Sequence, residues 1–246
     1  MIPIDQAFLE QCPTEKGFRL RGINMTRIDV FVDAAFAFAI TMLVISFDSI
    51  PQNFSEMVIA IKNIPAFIAS VVQLVWIWHT HNIWSKRFGL DNGMTVILST
   101  SLLIVVLIYI YPLRIMNQGM MNLFTNSYLP NDFNLESIEE LSMMFIFLGV
   151  GFFAFCVLFV CFNRYAISLK NQLRLNELEI YETKTLEIIW IGASAIALLC
   201  IVLASVLSDD LVKLSGFSLF LFAFWAPYIT ISRRRKRPVE LVSSIS

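Results

Sequence analysis

Six apolar runs, each about twenty residues long, constrain this chain more than any other feature. They cover residues 28–47, 64–83, 94–113, 141–162, 186–207 and 211–231. A helix rises about 1.5 Å per residue, so roughly 20 apolar residues cross the ~30 Å hydrocarbon core of a bilayer. The run at 141–162 holds no charged residue. Lipid offers no partner to backbone N–H and C=O groups, and a helix satisfies them within itself. The runs are continuous, whereas the strands of a membrane barrel alternate over about ten residues. The expected fold is therefore all-α, an integral membrane bundle of six transmembrane helices.

Composition agrees. The chain has 246 residues, 57% of them hydrophobic and 15% charged. Soluble domains carry about 45–50% and about 25%. No repeat of 20–50 residues is visible, so one domain over 1–246 is expected, ending in a basic tail at 233–246. The first 26 residues are polar, and the first apolar run is too long for a cleavable signal.

The placement of Lys and Arg sets the orientation. Fifteen of the 18 fall in the N-terminal segment, in the loops after the second and fourth runs, and in the tail. Only Lys62, Arg114 and Lys213 lie on the other side, which is rich in Asp and Glu. Both termini are expected in the cytoplasm, in a multi-pass protein of the cell membrane. A net charge of −1 gives nucleic-acid binding no support. The run Arg233–Arg237 is read as a topology anchor that touches lipid headgroups.

The first run is unusual because it contains Asp29 and Asp33. A carboxylate at mid-membrane costs roughly 2.5–3.5 kcal/mol, so Asp33 needs a partner or a wet cavity. Arg27 is about 600° away around the helix, which points the search for a partner to another helix. At about 100° per residue, Arg27, Phe31, Ala34, Phe38, Met42 and Ile45 form one stripe, nearly opposite the two aspartates.

Other chemistry finds little footing. Cys12, Cys156, Cys161 and Cys200 lack metal-site spacing and read as buried small hydrophobes. His79 and His81 are two apart, about 200° around a helix, and cannot easily chelate one ion. No G-x-S-x-G or H-E-x-x-H motif is present, so an enzyme is not expected. A secondary transporter would usually show internal repeats and broken mid-membrane helices.

The first helix resembles the signature of the prokaryotic transmembrane protein 175 family, also called the domain of unknown function 1211. Its R-x-x-x-F-S-D motif and following F-A-I-A-I-T-L-L-V run are matched by Arg27, Phe31, Asp33, Phe36, Ala37, Ala39, Ile40, Thr41, Leu43 and Val44. Its W-x-x-H, basic stretch and Asp are matched by Trp76, His79, Lys86, Arg87 and Asp91. The two blocks cover roughly the first 115 residues. The resemblance implies a potassium-permeable channel, a homotetramer whose pore is lined by the first helix of each subunit. It implies a constriction of Phe38, Met42 and Ile45, with Thr41 contributing to selectivity. Arg27, Phe31, Asp33, Trp76 and His79 would then form a structural network that sets the pose of the first helix. Loss of Arg27 or Asp33 is expected to collapse assembly. The expected partners are other copies of the chain and membrane lipids; no cofactor is expected beyond the permeant ion, K⁺. Val32 stands at the motif Ser, and Phe38 where the family has a branched aliphatic residue. These departures keep open a proton-permeable member, with His79 titrating, or a non-conducting membrane scaffold.

Overall fold

The computed structural model describes residues 4–45, 51–131, 133, 137–207 and 209–237. It contains nine α-helices among these residues. They are α1 (Gln6–Gln11), α2 (Arg27–Ile45), α3 (Phe54–Lys62), α4 (Ile64–Phe88), α5 (Gly93–Phe124), α6 (Ile138–Ser168), α7 (Glu177–Val206), α8 (Lys213–Ser218) and α9 (Leu221–Arg235). Five stretches are long and apolar enough to cross a membrane: Phe54–Phe88, Gly93–Phe124, Ile138–Ser168, Glu177–Val206 and Lys213–Arg235. The protein is a helical membrane bundle.

Side-chain caps set several helix starts, each taking up a backbone N–H that the first turn leaves without a partner. Asn53 accepts from the amide of Glu56, Asn92 from Thr95, and Ser137 from Glu140. Asn176 and Glu179 form a reciprocal capping box at the start of α7. Gly89 ends α4 in the left-handed region, at φ 58°.

The buried face of α2, made by Val32, Phe36, Ala39 and Leu43, packs against α4 and α5. Leu74, Ile77, Leu102 and Val106 meet it there. α6 and α7 pack along one another, and their small residues are what bring them close. A Cβ on Gly149 would lie 2.7 Å from Ile201 of α7, while Ala193 and Ala197 are fully buried. These contacts lie within one chain.

The helices depart from the apolar runs in three places. α5 continues past Pro112 to Phe124 because its far end is held by polar side chains. Asn117 Nδ2 donates to Ser70 Oγ and Gln73 Oε1, both at 2.9 Å, and Gln118 Nε2 to Asn63 Oδ1 at 3.0 Å. α7 begins at Glu177, well before its apolar stretch, at its capping box. The last run is divided: α8 and α9 are separated by a turn at Leu219 and Phe220. A short β-ladder also forms, β1 (Thr14–Glu15) pairing antiparallel with β2 (Phe18–Arg19).

Candidate functional site

The two faces of α2 differ sharply. Val32, Phe36, Ala39 and Leu43 are at most 3% exposed. Arg27, Phe31, Ala34, Phe38 and Thr41 are exposed, Phe31 and Phe38 to 58% and 57%. With 3.6 residues per turn, these five positions form one continuous stripe. Met42, expected on it, is half-buried at its margin and packs against the core. Thr41 takes its place on the exposed face, its hydroxyl donating back to the carbonyl of Ala37 at 2.8 Å. The side chain of Ile45 lies outside the described residues.

Polar contacts fix the pose of α2. Thr26 and Asp29 cap its start: the amide and hydroxyl of Thr26 donate to Asp29 Oδ2 at 3.0 and 2.8 Å. Asp29 Oδ1 accepts from Ser85 Oγ of α4 at 2.5 Å. One carboxylate therefore ends one helix and ties it to the next. Asp33 is half-buried and accepts from the indole N–H of Trp78 at 2.7 Å. Its partner does come from another helix, but it is an indole and not a cation.

That contact corrects the expected network. The segment 76–81 reads W-I-W-H-T-H, which holds the W-x-x-H spacing twice, two residues apart. Two residues are about 200° of helix, so only one of the two sets faces α2 and α5. The core face of α4 is set by Leu74, Ile77, Trp84 and Phe88, which places Trp78 and His81 inward. His81 is 3% exposed, and its Nε2 lies 3.0 Å from Ser99 Oγ of α5. Trp76 and His79 point the other way. His79 is exposed, and Trp76 packs beside Trp190 and Phe222. Arg27 and Phe31 are exposed, and Arg27 makes no hydrogen bond or ion pair among the described residues. Among the described residues of the single chain, only Asp33 of the five expected members takes part.

Among the described residues, no group of three His, Cys, Asp or Glu side chains is placed to hold a metal ion. What the arrangement offers is a rigidly supported helix with one uncovered face of phenyl, methyl and hydroxyl groups.

Comparison with known proteins supplies the context for that helix. The family model described as the endosomal/lysosomal potassium channel TMEM175 matches residues 27–112, which span α2, α3, α4 and α5 as far as Pro112. A protein of Marivirga tractuosa named potassium channel is 29% identical over 222 residues, covering 88% of this chain and 90% of its relative. The crystal structure of a single-substitution variant of the potassium channel MtTMEM175, in complex with a nanobody–MBP fusion, superposes with a TM-score of 0.79. It is 29% identical, and the match covers 92% of this chain and 99% of that one. Over residues 27–112 the chain is similar to the TMEM175 family. The match covers the two blocks that carried the resemblance. Sequence reasoning noted Asp29 and His81 without their partners, and it missed Ser85 and Trp78 in this segment. The T-x-x-D spacing of Thr26 and Asp29 is a readable helix-start signal, but the inward face of α4 needed the packed structure.

Proposed function

We propose that this chain is a potassium channel of the cell membrane, a homotetramer in which α2 of each subunit lines a central pore. The observation that carries this reading is the uncovered stripe of α2. One face is packed to completion, and the other leaves Phe31, Ala34, Phe38 and Thr41 exposed among the described residues. Four such faces around an axis would cover one another and leave a narrow apolar passage, the arrangement that gates by excluding water. The potassium-channel names of the relatives support the choice of ion. Phe38 and Thr41 lie one turn apart on the stripe and supply the constriction and the selectivity position. Met42 continues the constriction at its margin, and Ile45, four residues after Thr41, is its next position along the helix. With its 19 residues, α2 spans about 28 Å and is the sixth transmembrane helix. Parity then puts both termini in the cytoplasm, as the distribution of Lys and Arg requires, and the whole chain forms one domain.

Phe38 favours a second reading, because four phenyl rings at one level would plug the passage and leave a non-conducting scaffold. Purified protein in liposomes, loaded for K⁺ and Na⁺ flux, separates the two. The channel reading expects K⁺ flux from the wild type and a several-fold change with Phe38→Ala. Flux from the variant alone identifies a plug awaiting a trigger. Silence from both, with an intact oligomer, overturns the channel in favour of the scaffold.

A further inference from the structure

The segment before α2 folds into a strap across three helix ends. Its amides at Arg21 and Gly22 donate to the carbonyls of Arg87 and Lys86, at 3.4 and 2.9 Å. They take up carbonyls that the last turn of α4 leaves without partners. The fit is close: a Cβ on Gly22 would lie 2.6 Å from the Ser85 carbonyl, and one on Gly89 2.7 Å from that of Arg21. Phe18 packs edge-on to Phe88, and the guanidinium of Arg87 covers the Phe18 ring at 4.6 Å.

The Arg21 side chain crosses from α4 to α7. It meets Glu179 in a two-pronged ion pair at 3.0 and 2.7 Å, with side chains 1% and 0% exposed. The remaining guanidinium hydrogens go to the carbonyls of Leu173, Arg19 and Arg174, at 2.9, 3.2 and 3.4 Å. All five donors of Arg21 therefore have an acceptor. The Glu179 carboxylate also accepts from the amides of Arg19 and Asn176, at 2.9 and 3.0 Å. A buried pair earns its desolvation back only when its geometry is this complete. Only residues 23–26 separate the strap from Arg27, a reach of roughly 18 Å at most.

We propose that Arg21 and Glu179 are positioning residues for conduction: their buried pair anchors the strap, and the strap fixes the N-terminal end of α2. The effect on conduction rests on the reading of α2 as the pore helix; the anchoring itself does not. Loosening the pair lets the start of α2 tilt away from the axis, which widens the passage and weakens its discrimination between ions. Asp29 and Ser85 hold the same end of α2 to α4, so the strap and this cap act on one point.

Glu179→Gln is the informative variant, because Gln still serves in a capping box while losing the charge. Spin labels at Met25→Cys and Lys184→Cys report the distance from the start of α2 to α7. They are placed in full-length protein whose native cysteines are serine, with labelled chains diluted by unlabelled ones. A narrow distance distribution is expected, broadened at least twofold by Glu179→Gln. In liposomes the variant is expected to raise K⁺ flux threefold or more and to lower K⁺ over Na⁺ selectivity. Arg21→Lys keeps the charge but loses the two-pronged geometry; it is expected to give an intermediate result, and it decides the matter should Glu179→Gln fail to fold. An unbroadened distribution overturns the proposal. So does broadening without any change in flux or selectivity from a conducting wild type. Silence from both the wild type and Phe38→Ala sinks the channel reading, and broadening then still supports the strap as the device that sets α2.

Discussion

Asp33 and His79 show how much two residues of register decide. Asp33 accepts the Trp78 indole N–H at 2.7 Å, within the helix bundle. His79 is exposed on the far side of α4. Removing a charged acceptor costs about 1.5–3 kcal/mol when its donor is left inside the fold. Asp33→Ala is therefore expected to destabilise the purified protein by about that amount and to lower its thermal midpoint. Substitutions at exposed positions fall within about 0.5 kcal/mol, and His79→Ala is expected to do the same. Equal losses in the two variants, measured by thermal unfolding in detergent, would restore His79 to the network. Arg27, exposed and without a partner among the described residues, is expected to contribute little to the fold of the single chain.

At the scale of elements, the end of α4 is a junction where the helix stop and the strap share one glycine. Gly89 has φ 58°, and a Cβ there would meet the backbone of Arg21 at 2.7 Å. A side chain in the left-handed region costs roughly 1–2 kcal/mol before any clash, and here the obstacle is backbone, which cannot rotate aside. Gly89→Ala is expected to lose about 2 kcal/mol or more. Gly93, in the first turn of α5, has nothing within 4 Å of its Cβ position. Gly93→Ala is expected to be neutral or mildly stabilising, since Ala is the better helix former. Chemical or thermal unfolding of the pair checks both, and a tolerant Gly89 would mean that the strap does not seat as described.

At the scale of the molecule, the prediction is topological. Arg233 and Arg237 are held to α7, Arg233 over the ring of Tyr181 at 4.2 Å and Arg237 to Glu182 at 3.2 Å. Arg234, Arg235 and Lys236 remain exposed beside the strap end of the bundle. Tyr128, beyond the far end of α5, is exposed at the opposite end, with Lys62 over its ring at 4.2 Å. In a background without native cysteines, a membrane-impermeant thiol reagent applied outside intact cells is expected to label Tyr128→Cys and to spare Arg235→Cys. Labelling of Arg235→Cys alone would invert the protein in the membrane.

The sequence by itself determined the solvent and the architecture, because a chain this apolar has only lipid to bury its surface and only helices to satisfy its backbone there. It also determined the family block and the two-faced character of α2, since helical periodicity is local and reads directly from residue order. The capping box at Asn176 and Glu179 and the start of α2 at Thr26 and Asp29 were equally local and could have been read from their spacing. Tertiary structure alone decided which W-x-x-H of α4 turns inward, because both sets satisfy the same spacing and only packing against α2 and α5 tells them apart. It alone turned Arg21 from one cytoplasmic charge among many into a buried partner of Glu179, 158 residues away. It carried α5 beyond its apolar run, where polar side chains at the start of α4 hold a turn that hydropathy does not register. Periodicity and hydropathy act along the chain, whereas hydrogen-bond partners are chosen across it, and that choice exists only once the helices have packed.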